Sequence, residues 1–266
     1  MKKQTLHTIQ ALKHKGEPIS VLTAYDSTFA KLISETGVEI ILIGDSLGNV
    51  IQGQDSTVPV SMKDMCYHTT CVARGNKGAL LIADMPYMSY ATEKQTLKNA
   101  AKLMQSGANM VKLEGGEWLT ESIRKLTERG IPVCGHLGLT PQSVDALGGY
   151  KVQGRDKAAA EKLEADAMAL QDAGVSLIVF ECVPKDLATR LTQKLQVATI
   201  GIGAGNQTDG QVLVLQDMLG LNDDFQPKFV RNFMAEPGVQ SIKDAIEAYV
   251  KSVKDRSFPS ESHTFD

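Results

Sequence analysis

Cysteine is scarce in this 266-residue sequence, and the four thiols, Cys66, Cys71, Cys134 and Cys182, form neither a CxxC pair nor a zinc-type spacing. In a chain of this size that usage reads as reduced core residues and argues against a disulfide framework. A basic excess is missing as well. The formal charge is −3, and no cluster of six or more Lys and Arg is present to neutralise phosphates along a nucleic acid. Long apolar runs are absent: Ile40–Ile43 and Leu177–Phe180 are far short of a membrane span and read as buried strands. Lys2 and Lys3 open the chain, but Gln10, Lys13, His14 and Lys15 break up the apolar run that a secretory leader needs. The expectation is a soluble, cytoplasmic protein with no nucleic-acid or membrane partner. Disorder is excluded too, because 42% hydrophobic against 22% charged residues leaves ample apolar surface for a large core.

What is present is a recurring unit: an amphipathic segment, a glycine that stops it, then a short apolar run. The joints are Glu35-Thr36-Gly37, Gln105-Ser106-Gly107, Glu128-Arg129-Gly130 and Asp172-Ala173-Gly174. Each glycine suits the left-handed position just past a helix end. Thr92 with Gln95 predicts a capping-box start, after which Leu97, Ala100, Ala101, Met104 and Ala108 share one face. Ile123 and Leu126 in the segment 120–129, and Leu163, Ala167 and Leu170 before Gly174, are expected to face inward. Pro184 marks a further helix start.

Eight apolar runs read as strands: 19–24, 40–45, 79–84, 110–114, 133–136, 177–181, 197–201 and 212–215. Most are continuously apolar, as parallel strands covered on both sides must be, and they alternate with helix-length segments. The prediction is an α/β fold, a single (β/α)8 TIM-barrel catalytic domain over residues 1–266 with an extra N-terminal helix at 1–15. A final helix is expected at 242–253 and a frayed tail at 259–266. An open doubly wound sheet is the alternative.

Polar residues break these runs at or near their C-terminal ends: Asp45, Asp84, Lys112 with Glu114, His136 and Glu181. In a parallel barrel those ends meet on the face that carries active sites. Buried charges must be paired, metal-bound or in contact with ligand. Asp45 and Asp84 are hard oxygen donors on neighbouring strands, a pair that suits Mg²⁺ unless each merely caps the helix that follows it. Lys112 and Glu114 stand two apart and so point to one side of their strand. There Lys112 could balance an anionic substrate and Glu114 could bind metal or a metal-bound water, or the two could form a simple ion pair. Glu181, at the end of an apolar approach, is a candidate general base, with helix capping as the plainer alternative. His136 is either a structural histidine or a pocket residue. Gly201-Ile202-Gly203-Ala204-Gly205 lacks the full GxGxxG pattern and comes late in the chain, so it points to a backbone-lined ligand wall and not to a dinucleotide site.

Five segments in this order resemble the ketopantoate hydroxymethyltransferase family: Gly44-Asp45-Ser46-Leu47-Gly48, Asp84-Met85-Pro86, Lys112-Leu113-Glu114-Gly115-Gly116, Gly135-His136-Leu137-Gly138-Leu139-Thr140-Pro141-Gln142 and Gly201–Gly205. The resemblance covers nearly the whole chain. It implies Mg²⁺, the substrates 3-methyl-2-oxobutanoate and 5,10-methylenetetrahydrofolate, the product 2-dehydropantoate in pantothenate and coenzyme A biosynthesis, and a homodecamer. Carried over, it makes Asp45, Asp84 and Glu114 the metal site, Asp45, Ser46, Asp84 and Lys112 the oxo-acid site, and Glu181 the proton acceptor. Two departures stand out. Tyr87 occupies a position where the family pattern has Phe, and Thr208 one where it has Cys. Two rival readings use the same groups: a Mg²⁺-dependent lyase or mutase of the phosphoenolpyruvate/isocitrate lyase type, which would want a reactive thiol or a phosphonate-type anion site as well, and a sensor barrel that only binds an oxo acid.

Overall fold

The computed structural model describes residues 3–222 and 226–266. Its eight strands are β1 (Ile19–Thr23), β2 (Ile40–Ile43), β3 (Leu80–Asp84), β4 (Met110–Glu114), β5 (Val133–Gly138), β6 (Leu177–Glu181), β7 (Ala198–Ile202) and β8 (Gly210–Leu213). They pair in parallel in sequence order, and β8 returns to β1, so the sheet is a closed barrel and not an open one. The period-2 alternation of the strands sorts their side chains into two apolar layers. Ile40, Leu42, Ile82, Met110, Cys134 and Val179 fill the barrel interior, while Ile41, Ile43, Leu81, Val111, Leu113 and Ile178 face the surrounding helices.

That alternation also explains where the polar residues sit. Lys112 and Glu114 continue the inward row begun by Met110, Asp84 continues Ile82, His136 continues Cys134, and Glu181 continues Val179. The lower half of the interior is therefore apolar and the C-terminal half charged. The N-terminal helix Leu6–Lys15, capped by Thr5, closes the lower end and buries Ile9 against the interior cluster. Of the expected helix 1–15, positions 1 and 2 lie outside the described residues.

The four joint glycines all have positive φ, between 77° at Gly130 and 111° at Gly107, as left-handed helix stops require. Ile123 with Leu126, and Leu163 with Ala167 and Leu170, are buried as expected in the helices Thr120–Thr127 and Lys157–Asp172. Helix Glu93–Gln105 departs from its prediction in two ways. Thr92 accepts from Gln95 N, but the Gln95 side chain turns outward to the Met88 carbonyl, so only half the capping box forms. Its buried residues are Thr96, Asn99, Ala100 and Leu103, a face rotated from the apolar one expected. Two polar residues are tolerated inside because Asn99 donates to the Ser89 carbonyl and Thr96 to the Tyr90 carbonyl.

Three further corrections concern the end of the chain. Strand β8 starts at Gly210, two residues before the apolar run suggests, because Gly210 already pairs with Ile19 of β1 and Ile200 of β7, a close approach that glycine permits where Ile19 O would lie 2.4 Å from a Cβ. Leu215 leaves the strand and begins a short turn of helix, Leu215–Met218. Only a loop, 203–209, joins β7 to β8; the helix Ile242–Lys254 and Arg256, two residues past its end, cover this side, with Tyr249 OH donating toward Val21 O and Gln211 O and Arg256 donating to Asn206 O. The tail 259–266 is not frayed. It packs against Lys185, where Lys185 N donates to Phe265 O and Lys185 Nζ pairs with Glu261 and Asp266, and Thr264 is buried.

Candidate active site

Asp45, Ser46, Asp84, Lys112, Glu114, His136 and Glu181 all line one cavity of about 560 Å³ at the C-terminal mouth of the barrel. Strand register brings them together. Asp84 stands beside Lys112 across β3 and β4, Glu114 beside His136 across β4 and β5, and Gly138 beside Glu181 across β5 and β6. Lys112 Nζ lies 3.0 Å from Asp84 Oδ1, 3.2 Å from His136 Nδ1 and 3.9 Å from Glu114 Oε1. His136 in turn places Nδ1 3.2 Å from Glu114 Oε1 and Nε2 3.2 Å from Glu181 Oε2.

Lys112 Nζ and His136 Nδ1 stand in hydrogen-bond geometry, whereas the contacts to the carboxylates are ion-pair approaches more than aligned hydrogen bonds: Asp84 Oδ1, Glu114 Oε1 and His136 Nε2 are fully buried, and none has a partner in hydrogen-bond geometry. Four carboxylates thus face one lysine and one histidine, and the titration behaviour follows. Burial, then the charges of Asp84 and Glu114, holds the Asp45 carboxyl well above the usual carboxylate range. Burial also raises Asp84, against the pull of Lys112. For Glu114 burial acts in the same direction, but His136, Lys112 and the Gln142 backbone N–H outweigh it and bring the group below its usual value. Burial and the Lys112 charge oppose protonation of His136, yet Glu114 and Glu181 together push it up to about 9. Burial likewise works against the Lys112 ammonium, but Asp84, Glu114 and Asp45 raise it above the ordinary lysine range.

A buried group of oxygen donors with surplus negative charge and orphaned lone pairs is short of a cation, and a hard divalent ion suits those donors. Asp45 and Asp84 fit that role as a pair, since Mg²⁺ binds through one or two carboxylates and leaves its other positions to water and substrate. Among the described residues no three Asp, Glu, His or Cys side chains converge in metal-binding geometry. Glu114 stands apart from the two aspartates in this respect, because its Oε2 accepts from Gln142 N at 3.0 Å and its Oε1 is turned to His136.

Several residues that hold the site together were not picked out by sequence reasoning. Gln142 is buried and donates through Nε2 to Asp45 Oδ2 at 2.7 Å and to the Met85 carbonyl at 3.0 Å, while its Oε1 accepts from Tyr90 OH at 2.6 Å. A carboxylate and a carbonyl can only accept, so the amide orientation follows from its neighbours. Tyr25 OH lies 2.8 Å from Ser46 Oγ and fixes that hydroxyl at the cavity edge. Gln142 belongs to a quoted segment and Tyr25 follows β1, but nothing in their spacing names a partner. Glu181 is fixed from behind: Leu139 N donates to its carbonyl at 2.8 Å, and a Cβ at Gly138, where φ is +92°, would lie 2.2 Å from that carbonyl oxygen. The expected glycine wall is only partly realised. Ile202 lines the cavity, but Gly203 lacks a Cβ because Phe229 and Phe265 press on it, and Gly205 because Lys185 does. Tyr87 and Thr208, the two departures from the family pattern, lie outside the cavity lining; Thr208 is buried and donates to Gly210 O.

Fold and site together define a barrel enzyme with an acid–base cluster built around a buried lysine. The model of the ketopantoate hydroxymethyltransferase family matches residues 3–261, and the chain belongs to that family. A 3-methyl-2-oxobutanoate hydroxymethyltransferase from Marinobacter nauticus is 59% identical over 261 residues, 98% of each chain. One from Erwinia tasmaniensis is 55% identical over 265 residues, covering all of both chains. Among solved structures, phosphonopyruvate hydrolase superposes with a TM-score of 0.64 at 15% identity, over 97% of this chain and 98% of the other. For 2,3-dimethylmalate lyase, a member of the PEP mutase/isocitrate lyase superfamily, the TM-score is 0.61 at 15% identity, over 96% and 98%. At that identity the likeness is one of fold. No helix among the described residues is long and apolar enough to cross a membrane.

Proposed function

We propose that residues 1–266 act as one catalytic domain that transfers a hydroxymethyl group from 5,10-methylenetetrahydrofolate to C3 of 3-methyl-2-oxobutanoate. Water supplies the hydroxyl, and the products are 2-dehydropantoate and tetrahydrofolate. The observation that carries this reading is the placement of Glu181 at the edge of the Lys112–Asp84–Asp45 cluster, within one cavity. Lys112 remains charged at any working pH and balances the carboxylate of the oxo acid. Ser46, held by Tyr25, offers a hydroxyl to the same anion. Asp45 and Asp84 would hold Mg²⁺, with Glu114 near enough to order a water, in an assembly the family resemblance makes a homodecamer of the cytoplasm. When bound, the ion supplies Lewis-acid stabilisation of charge that develops on the substrate carbonyl oxygen. Glu181 takes the C3 proton, and His136 steadies its Oε2 during the transfer, so that the carboxylate presents its other oxygen to C3. C3 then attacks the folate-borne methylene carbon as one of its carbon–nitrogen bonds to the carrier breaks, and water cleaves the other, so that the hydroxymethyl product and tetrahydrofolate leave with the carrier nitrogens protonated.

A thiol-dependent lyase on the same barrel finds no support in the cysteines. Cys134 and Cys182 are buried and absent from the cavity lining; burial pushes the Cys134 thiol up to about 12 and raises Cys182 as well. An oxo-acid sensor would leave Glu181 without a task. Proton NMR of 3-methyl-2-oxobutanoate in D₂O with enzyme and Mg²⁺ tests the reading. Metal-dependent loss of the C3 proton signal, followed by a hydroxymethyl product on adding methylenetetrahydrofolate, is expected; absence of both would remove it.

A further inference from the structure

At about 560 Å³ the cavity is of a size that encloses ligands much larger than a five-carbon acid, whose partners all stand on the β2–β6 side. The remainder opens toward β7, β8 and the chain that follows, where the wall is built from apolar residues such as Val214, Leu221 and Phe229. Among the described residues one ionisable side chain interrupts that wall. Asp217, on the turn of helix after β8, lines the cavity and is half-buried, and burial raises its carboxyl above the usual range. Among the described residues the Asn222 amide, which donates to Oδ1, is the neighbour that offsets this burial; no cation does. A carboxylate set in an apolar wall with a single amide partner is costly unless a ligand brings further donors. Thr57, another lining residue, holds a second unanswered group, a hydroxyl that is buried without a partner among the described residues. Ser46, which Tyr25 holds, lines the same cavity as Asp217, so this wall adjoins the oxo-acid site.

A ligand suited to this half of the cavity is flat and uncharged, apolar on its faces, and bears two adjacent N–H donors for one carboxylate. The reduced pterin of a folate has that form, because its ring N–H and the neighbouring exocyclic amino group present two parallel donors, as a guanidinium does. We infer that Asp217, oriented by Asn222 in the wall of Val214, Leu221 and Phe229, is the recognition site for the 2-amino pterin edge of the one-carbon carrier. This rests on methylenetetrahydrofolate being the second substrate.

The test combines one substitution with one change of carrier, using the full-length Mg²⁺-supplied enzyme. Asp217→Asn should raise KM for methylenetetrahydrofolate, and the dissociation constant of tetrahydrofolate measured by calorimetry, about tenfold or more. KM for the oxo acid should move less than twofold. A carrier whose 2-amino group is replaced by methyl should bind the wild-type enzyme about tenfold more weakly than the natural one, and the variant should discriminate between the two carriers by less than threefold. Equal discrimination by both enzymes would overturn the assignment, even if the variant had lost stability, because the ratio is taken within each protein. Should the wild-type enzyme fail to exchange the C3 proton and to form product, the functional reading fails instead. C3 exchange, which needs no folate, separates the two outcomes.

Discussion

Replacing Gln142 by Leu keeps the volume of the side chain but removes three polar contacts at once: Nε2 to Asp45 Oδ2 at 2.7 Å, Nε2 to Met85 O at 3.0 Å, and Oε1 from Tyr90 OH at 2.6 Å. The Asp45 contact matters most. Asp84 and Glu114 already oppose the charge on Asp45, and the Gln142 amide is one of two side chains, with Lys112, that favour it. A hydrogen bond to a buried carboxylate is worth about 1.5–3 kcal/mol. Loss of a group that orients a metal ligand typically weakens metal binding about 10- to 100-fold. Because Gln142 N still donates to Glu114 Oε2 through the backbone, the loss should fall on Asp45 and leave Glu114 in place. The assay is calorimetric titration of Mg²⁺, or of Mn²⁺ followed by its spin resonance, into enzyme without substrate, so that the readout is binding and not turnover. Tyr90→Phe provides the graded comparison. It removes the hydroxyl that anchors the Gln142 Oε1 and should weaken the metal by a smaller factor in the same direction. Unchanged or tighter Mg²⁺ binding in Gln142→Leu, with circular dichroism showing a folded protein, would refute the reasoning: Asp45 would then not be the group that the ion requires.

Two other outcomes follow from the same geometry. Glu181→Gln should slow C3 exchange about 10²- to 10⁴-fold while Mg²⁺ affinity stays within about threefold; unaltered exchange would take Glu181 out of the role of base. A chain ended after Phe258 loses the strap that ties Lys185, four residues past Glu181, to Phe265, Glu261 and Asp266. Its melting temperature in scanning calorimetry should fall by a few degrees and its exchange rate should drop with it, whereas a melting curve like that of the full chain would mean that the strap is idle.

The sequence determined the features that depend on neighbours in the chain. Glycine stops at Gly37, Gly107, Gly130 and Gly174 are a matter of backbone freedom at one residue, and they stand where expected. The charged row is also local. Once a strand runs from Met110 to Glu114, positions 112 and 114 must share the side of 110, and closing the barrel turns that side inward. This is why Asp84, Lys112, Glu114, His136 and Glu181 could be placed together before any distance was known. Tertiary structure decided what depends on packing between distant segments. Gln142 meets Asp45 across 97 positions of sequence, a contact that no periodicity encodes. Strand β8 begins at Gly210 because that residue pairs with both Ile19 and Ile200, in a space that holds no Cβ, and the helix Glu93–Gln105 turns Thr96 and Asn99 inward because loop carbonyls wait for them. The tail looked frayed because its sequence has little apolar content; it is held instead by the charge and backbone of Lys185. Burial removes water as a partner, so every buried polar group must find one elsewhere in the chain, and only the folded chain shows which.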